Sequence, residues 1–230
     1  MQRTIKKPFD CHIHLRDGAY LQRTVEDASI SFDGAIIMPN LQPPVLSIDD
    51  ALAYKKRITQ HLKPNTTFRA YMTLYLTDTT DHDTIRQTAE TDHIIGFKMY
   101  PRNATTNADQ GVGNIDAIMP QLEAMEKYRV PLLIHGEDNH PDTDIFDREK
   151  RFIDNTLTQI RHHFPSLQIT LEHITTQDAV AFIQDSPTHI GATITAHHLW
   201  LNRNDVINTN IHPHHFCLPI AKRRHHQEAL

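Results

Sequence analysis

Ile94-Ile95-Gly96-Phe97-Lys98-Met99-Tyr100 is the stretch from which the fold can be read. It is a near-continuous apolar run of strand length, and such runs suit strands covered on both faces of a sheet. Similar runs lie on either side, at 9–15, 34–39, 68–76, 130–136, 168–174 and 189–196. Amphipathic stretches with helix-start signals separate them. Ser47-Ile48-Asp49-Asp50 has a capping-box-like pattern, Asn114-Ile115-Asp116 and Thr176-Gln177-Asp178 open two further helical patterns, and 144–163 reads as one long helix. Repeated strand–helix alternation predicts parallel βαβ units. Seven repeats without a break in composition favour a TIM-type (β/α)8 barrel over an open doubly wound sheet, with residues 1–230 as one barrel domain.

Composition excludes several classes of function. The formal charge of −5 over 230 residues argues against a general nucleic-acid binder. No apolar run is long enough for a membrane span, and no apolar signal region follows the basic residues Arg3, Lys6 and Lys7. Two cysteines, Cys11 and Cys217, read as reduced thiols of a cytoplasmic protein. There is neither a Gly-x-Gly-x-x-Gly after the first strand nor a Walker loop, so no nucleotide cradle is expected. The long irregular stretch 101–113 is of the kind that carries function or stays disordered.

Histidine is abundant, with 18 copies, and position decides which matter. His61, His82, His93, His162 and His163 fall in polar stretches. His212, His214, His215, His225 and His226 form a tail cluster suited to solvent. In a barrel of this kind the active site lies at the carboxyl ends of the strands, and there the pattern changes. His12 and His14 share one face of strand 1, because strand side chains alternate, while Cys11 points away. His135 and His173 each stand at the end of an apolar strand. Any one of them alone reads equally well as a hydrogen-bonded core histidine. Together they are four imidazoles converging on one mouth, a nitrogen donor set suited to zinc. Lys98 adds a sharper signal, since burying an unpaired ammonium costs several kcal/mol. Two readings stand: a lysine snorkelling to the rim, or a lysine of depressed pKa that takes up carbon dioxide as an anionic carbamate with two oxygens.

These residues, with the wording around them, resemble a known family. Cys-His-Ile-His-Leu-Arg-Asp-Gly (11–18), Met-Pro-Asn-Leu (38–41), Lys-Met-Tyr-Pro (98–101), Asn-Ala-Thr-Thr-Asn (103–107), Leu-Ile-His-Gly-Glu (133–137), Phe-Asp-Arg-Glu (146–149), Glu-His-Ile-Thr-Thr (172–176) and Cys-Leu-Pro-Ile (217–220) are similar to the single-function, bacterial-type dihydroorotases of the amidohydrolase superfamily. The likeness runs from about residue 8 to the end. It implies two zinc ions, one held by His12 and His14 and the other by His135 and His173, bridged by carboxylated Lys98 and a hydroxide. It implies hydrolysis of the ring amide of dihydroorotate to N-carbamoyl-aspartate, with ring closure as the biosynthetic direction. Arg16 and Asn40 would bind the substrate carboxylate, Thr105 and Thr106 would tip a closing loop, and His135 and the Leu218 backbone would contact the ring. Small-molecule partners only, without nucleic acid or membrane, and a homodimer complete the expectation. Asp147, Arg148 and Glu149 read as helix capping and ion pairing, and His198 and His214 fall in matching segments.

The resemblance breaks at one point. The family's eighth strand carries an aspartate that ligates zinc and shuttles a proton, and nothing after Cys217-Leu218-Pro219-Ile220 supplies it. The sequence therefore reads as a C-terminally truncated barrel lacking the eighth strand and C-terminal helix. Loss of a general acid–base group lowers a rate by about 10²–10⁴. A non-catalytic remnant or partner subunit is the alternative. A hydantoinase-like activity is disfavoured by 38–41 and 103–107.

Overall fold

The computed structural model describes residues 4–186 and 188–230. Seven strands, β1 (Phe9–Ile13), β2 (Gly34–Ile37), β3 (Arg69–Tyr75), β4 (Ile94–Met99), β5 (Leu132–His135), β6 (Ile169–Glu172) and β7 (Ile190–Ala192), form one sheet in sequence order. All neighbouring pairs are parallel. Helices α1 (Leu21–Ser31), α2 (Ile48–Gln60), α3 (His82–Glu90), α4 (Met119–Tyr128), α5 (Arg148–Phe152), α6 (Thr158–His163) and α7 (Gln177–Asp185) connect them. The stretch 144–163, expected as one helix, is α5 and α6 joined through a π-helical turn at Ile153–Leu157. After β7 come α8 (Ala196–Trp200), α9 (Arg203–Val206) and α10 (Arg224–Ala229), and no eighth strand occurs among the described residues.

Helix starts follow the local chemistry. Ser47 and Asp50 form the reciprocal capping box at α2. Thr176 accepts from the Ala179 amide at α7, and Asn114 from Asp116 in the turn before α4. The strands bury apolar side chains against the helices. Val25, Tyr54, Ile58, Ile85, Leu122, Leu157 and Ile160 on the helical side are wholly buried, as are Ile37, Leu74, Phe97 and Ile134 on the strands.

The sheet is curled. In a flat sheet β1 and β6 would stand about 24 Å apart, five strand spacings. Instead the His12 ring Nδ1 lies 2.9 Å from the Glu172 carboxylate, and Lys98 on β4 reaches the same group. The inner face is thus the lumen of a barrel wall. Lumen-facing residues follow from register, since paired residues in parallel strands share a face. Tyr75, Lys98 and Leu133 pair in one row, and His135 pairs with Glu172 in the next. β4 carries an extra residue, Ile95, between its pairings with Met72 and Thr73. Such a bulge re-aims the side chains that follow it. Gly96 permits the close approach there, because a Cβ would lie 2.3 Å from the Pro131 carbonyl oxygen.

The strands end earlier than their apolar runs suggest. β1 stops at Ile13 and β6 at Glu172, so His14 and His173 lie just beyond their strands. His173, expected at the end of strand 6, thus lies one residue past it, and strict alternation makes Glu172 the last inward residue of that strand. His173 faces the lumen mouth because its backbone turns left-handed, φ 44°.

Candidate metal centre and substrate site

Four imidazoles gather at the carboxyl ends of the strands. The His12 and His14 rings are 5.0 Å apart between centroids, His12 and His173 5.1 Å, and His135 and His173 4.8 Å. They line a cavity of about 270 Å³ together with Tyr100, Thr105 and Leu218. The Nε2 atoms of His12 and His14 face each other at 3.1 Å, and His173 Nδ1 is buried without a partner. Lys98 is wholly buried. Its amine touches Glu172 Oε2 and stands 5.2 Å from the centre of the Tyr100 ring. It does not snorkel to the rim. Five of the sequence-predicted donors are therefore together.

Burial shifts His14, His135, His173 and Lys98 toward their neutral forms. Burial, then the neighbours His12, Arg16 and Lys98, pushes His14 down to about 3. Burial likewise lowers His135, against the pull of Glu137, and lowers His173 well below the ordinary histidine range. Burial depresses the Lys98 amine too, opposed by the Glu172 carboxylate. Neutral imidazoles with converging lone pairs, beside a buried amine, suit a divalent cation such as zinc. The orphaned His173 nitrogen is the kind of buried polar atom that costs free energy unless something partners it.

The second half of the predicted site lies next door. Arg16 and Asn40 line a wider cleft of about 800 Å³ with Asp17, Tyr20, Gln42 and Asn107. The 103–107 segment separates the two cavities. Asn40 Nδ2 donates to the Thr106 carbonyl at 3.0 Å, and Asn107 Nδ2 donates to the Asn40 carbonyl at 2.9 Å. Thr105 faces the histidine cavity. The guanidinium of Arg16 has no carboxylate within 4.0 Å among the described residues, whereas Asp17 pairs with Arg57 at 2.7 Å and Glu137 with His135.

Two acidic residues, Glu137 and Asp78, were not singled out from sequence, and a third, Glu149, has another role than the one expected. Glu137 is buried and holds His135 Nε2 at 2.9 Å. Its signal was its place two residues after a histidine. Asp78 pins both ends of the long loop, accepting from Arg102 Nη2 at 2.6 Å and from the Gly113 amide at 3.1 Å. Glu149 is not a helix-capping residue. It is buried and accepts from the Thr175 amide, the Thr175 hydroxyl and the Thr176 hydroxyl, so it fixes the turn after His173.

His197, His198 and Cys217 also cluster within ligand reach of one another. Both nitrogens of His198 are already engaged, with the Thr195 hydroxyl at 2.6 Å and the Pro219 carbonyl at 2.9 Å. His198 thus holds the Leu218-Pro219 backbone at the cavity edge and is not free to ligate. Burial, then His197, pushes it down to about 4. An unfolded histidine takes up a proton near pH 6.5. Between these values the unfolded chain binds the extra proton, so stability falls as pH falls, and it is level above about pH 7. The window amounts to about 3 kcal/mol. Melting temperatures measured from pH 7 to pH 4 are expected to fall less steeply in His198→Gln than in the native chain; equal slopes would refute this.

Seven parallel strands with histidines and a buried lysine gathered at one mouth define the barrel wall of the metal-dependent amidohydrolases. No family model matches the chain. A dihydroorotase of Azotobacter vinelandii is 54% identical over 97% of this chain and 64% of its own length. One of Idiomarina loihiensis is 48% identical over 99% of this chain and 66% of its own. The crystal structure of a Campylobacter jejuni dihydroorotase superposes with a TM-score of 0.89 at 40% identity, covering 97% of this chain and 64% of that one. The chain is therefore a homologue of the dihydroorotases along nearly all of its own length. It spans about two thirds of the length of the relatives it matches. Among the described residues, no helix is long and apolar enough to cross a membrane.

Proposed function

We propose that this chain carries the binuclear zinc centre and the carboxylate-binding half of a dihydroorotase, a cyclic amidohydrolase that interconverts dihydroorotate and N-carbamoyl-aspartate. His12 and His14 would hold one zinc, His135 and His173 the other, and carboxylated Lys98 would bridge them. Two zinc ions bound there would supply the chemistry of an activated water and a polarised ring carbonyl. The protein's own groups do the rest. Burial favours unprotonated His14, His135 and His173, ready to ligate. Arg16, unpaired, offers a fork for the substrate carboxylate. Asn40 spends one amide hydrogen on Thr106 and keeps one for the same carboxylate. Thr105, which lines the histidine cavity, and Thr106 beside it would shield the ring from water.

The observation that carries this reading is the 3.1 Å approach of two imidazole Nε2 atoms beside a wholly buried lysine. The family relation supports the substrate, and the Saccharomyces cerevisiae dihydroorotase, 33% identical, was solved with 5-fluoroorotic acid. Two unpaired thiols agree with the reducing cytoplasm. Metal analysis of the purified chain is expected to give two zinc ions, and the zinc-loaded chain is expected to bind dihydroorotate in calorimetry. A chain that takes up no zinc from a buffered excess would end the proposal.

A further inference from the structure

Glu172 is almost wholly buried in the barrel lumen, and the ring-opening chemistry gives it no part. One of its oxygens, Oε2, touches both the Lys98 amine and the His12 Nδ1, the latter at 2.9 Å. The His12 contact is close without meeting hydrogen-bond alignment, so His12 Nδ1 and the other carboxylate oxygen of Glu172 both lack a hydrogen-bond partner. On the opposite side of the His12 ring, Nε2 faces Nε2 of His14. A neutral imidazole has one donor and one acceptor nitrogen. A negative carboxylate this close to Nδ1 favours a hydrogen on that nitrogen and so leaves the Nε2 lone pair directed at His14 and the cavity. The Lys98 nitrogen meets the same oxygen, and it keeps a hydrogen to donate both as an amine and as a carbamate. His135 shows the mirrored arrangement: Glu137 takes Nε2 at 2.9 Å, which leaves Nδ1 for the cavity.

We propose that Glu172 is the positioning residue of the donor ring, fixing the tautomer and direction of His12 and anchoring the Lys98 nitrogen through one carboxylate oxygen. The inference rests on the zinc-centre reading above. Carboxylates that hold the far nitrogen of a ligand histidine typically contribute 10–100-fold in metal affinity. Here one carboxylate serves donors from two strands, β1 and β4.

Two substitutions of similar volume separate positioning from packing. Glu172→Met removes the acceptor, and Glu172→Gln keeps one acceptor oxygen without the charge. Nitrogen–proton correlation spectra of the zinc-free protein, with the His12 signals assigned from their loss in His12→Gln, report the tautomer directly. The native chain is expected to show His12 protonated on Nδ1. Glu172→Gln is expected to keep that tautomer and Glu172→Met to lose it. Competition with a chromogenic chelator is expected to show zinc held about 10–100-fold more weakly by Glu172→Met and less weakened in Glu172→Gln. Melting curves monitor folding. His12 protonated on Nε2 in the native chain would overturn the proposal even if the Met variant failed to fold. So would an unchanged tautomer with unchanged zinc affinity in a folded Glu172→Met. If the native chain took up no zinc, the metal-centre reading would fall, and the tautomer measurement would still decide the role of Glu172.

Discussion

Lys98→Ala is expected to lower the zinc content of the folded chain from two ions to one or none. Lys98 is wholly buried in the lumen row of Tyr75 and Leu133, next to the row that carries His135 and Glu172. Its replacement removes the group proposed to bridge the two histidine pairs. The pairs themselves, His12 with His14 and His135 with His173, keep their separate places, since they come from different strands. Each nitrogen pair alone falls short of the three protein ligands found in catalytic zinc sites. The substitution also leaves Glu172 with one partner fewer, and unpairing a buried charge costs about 3–5 kcal/mol. Melting curves must therefore accompany the metal analysis. A second readout separates ligand loss from collapse. The space vacated by the lysine side chain has room for a small carboxylic acid, and added acetate or propionate is expected to restore part of the second zinc. Native-chain zinc uptake is expected to rise with bicarbonate, as carbamate formation requires. A folded Lys98→Ala chain still holding two zinc ions, with bicarbonate making no difference to the native chain, would refute the bridging role.

The legible part of this site was the part written along single strands. The apolar run around Lys98 marks a strand buried on both faces, and a lysine in its midst declares itself against that background. His12 and His14 share a face by alternation alone. What stayed hidden depends on closure of the sheet and on backbone turns. His12 meets Glu172 only because β1 curls round to β6, and no periodicity records that contact. Alternation along β6 favours Glu172 as the inward residue, but a histidine beside it draws the eye. The left-handed turn at His173 lets both face the lumen, and nothing in the local sequence announces it. Asp78 is invisible for a related reason. It reads as an ordinary loop acid after β3, and only the fold sets it between Arg102 and the Gly113 amide. Glu149 resembles a first-turn helix acid, which its sequence neighbours support, yet packing turns it inward to the Thr175-Thr176 turn.

Arg16→Ala is expected to weaken dihydroorotate binding by about 10–100-fold, the loss of a charge-assisted contact of about 1.5–3 kcal/mol, with zinc content unchanged. Arg16 borders a different cavity from the histidines, so its loss need not disturb the metal donors. Its backbone is held in place independently of the side chain. The Tyr54 hydroxyl donates to the Arg16 carbonyl at 2.5 Å, and φ is 60°. Keeping a residue other than glycine in that left-handed region costs on the order of 1–3 kcal/mol, a cost the fold bears while leaving the guanidinium without an ion pair. Asp17, the obvious partner in sequence, is taken by Arg57. An arginine so placed has its fork free for a ligand carboxylate. Lysine cannot reproduce the planar pair of donors, so Arg16→Lys is expected to recover only part of the affinity. Arg16→Gly is the sharper variant. It deletes the guanidinium and relieves the left-handed backbone together, so that stability is expected to hold or rise while affinity falls. Calorimetric titration of the zinc-loaded variants with dihydroorotate reads the affinity, and thermal melts read the stability. Unchanged affinity in a stable Arg16→Gly chain would show that the substrate carboxylate is bound elsewhere.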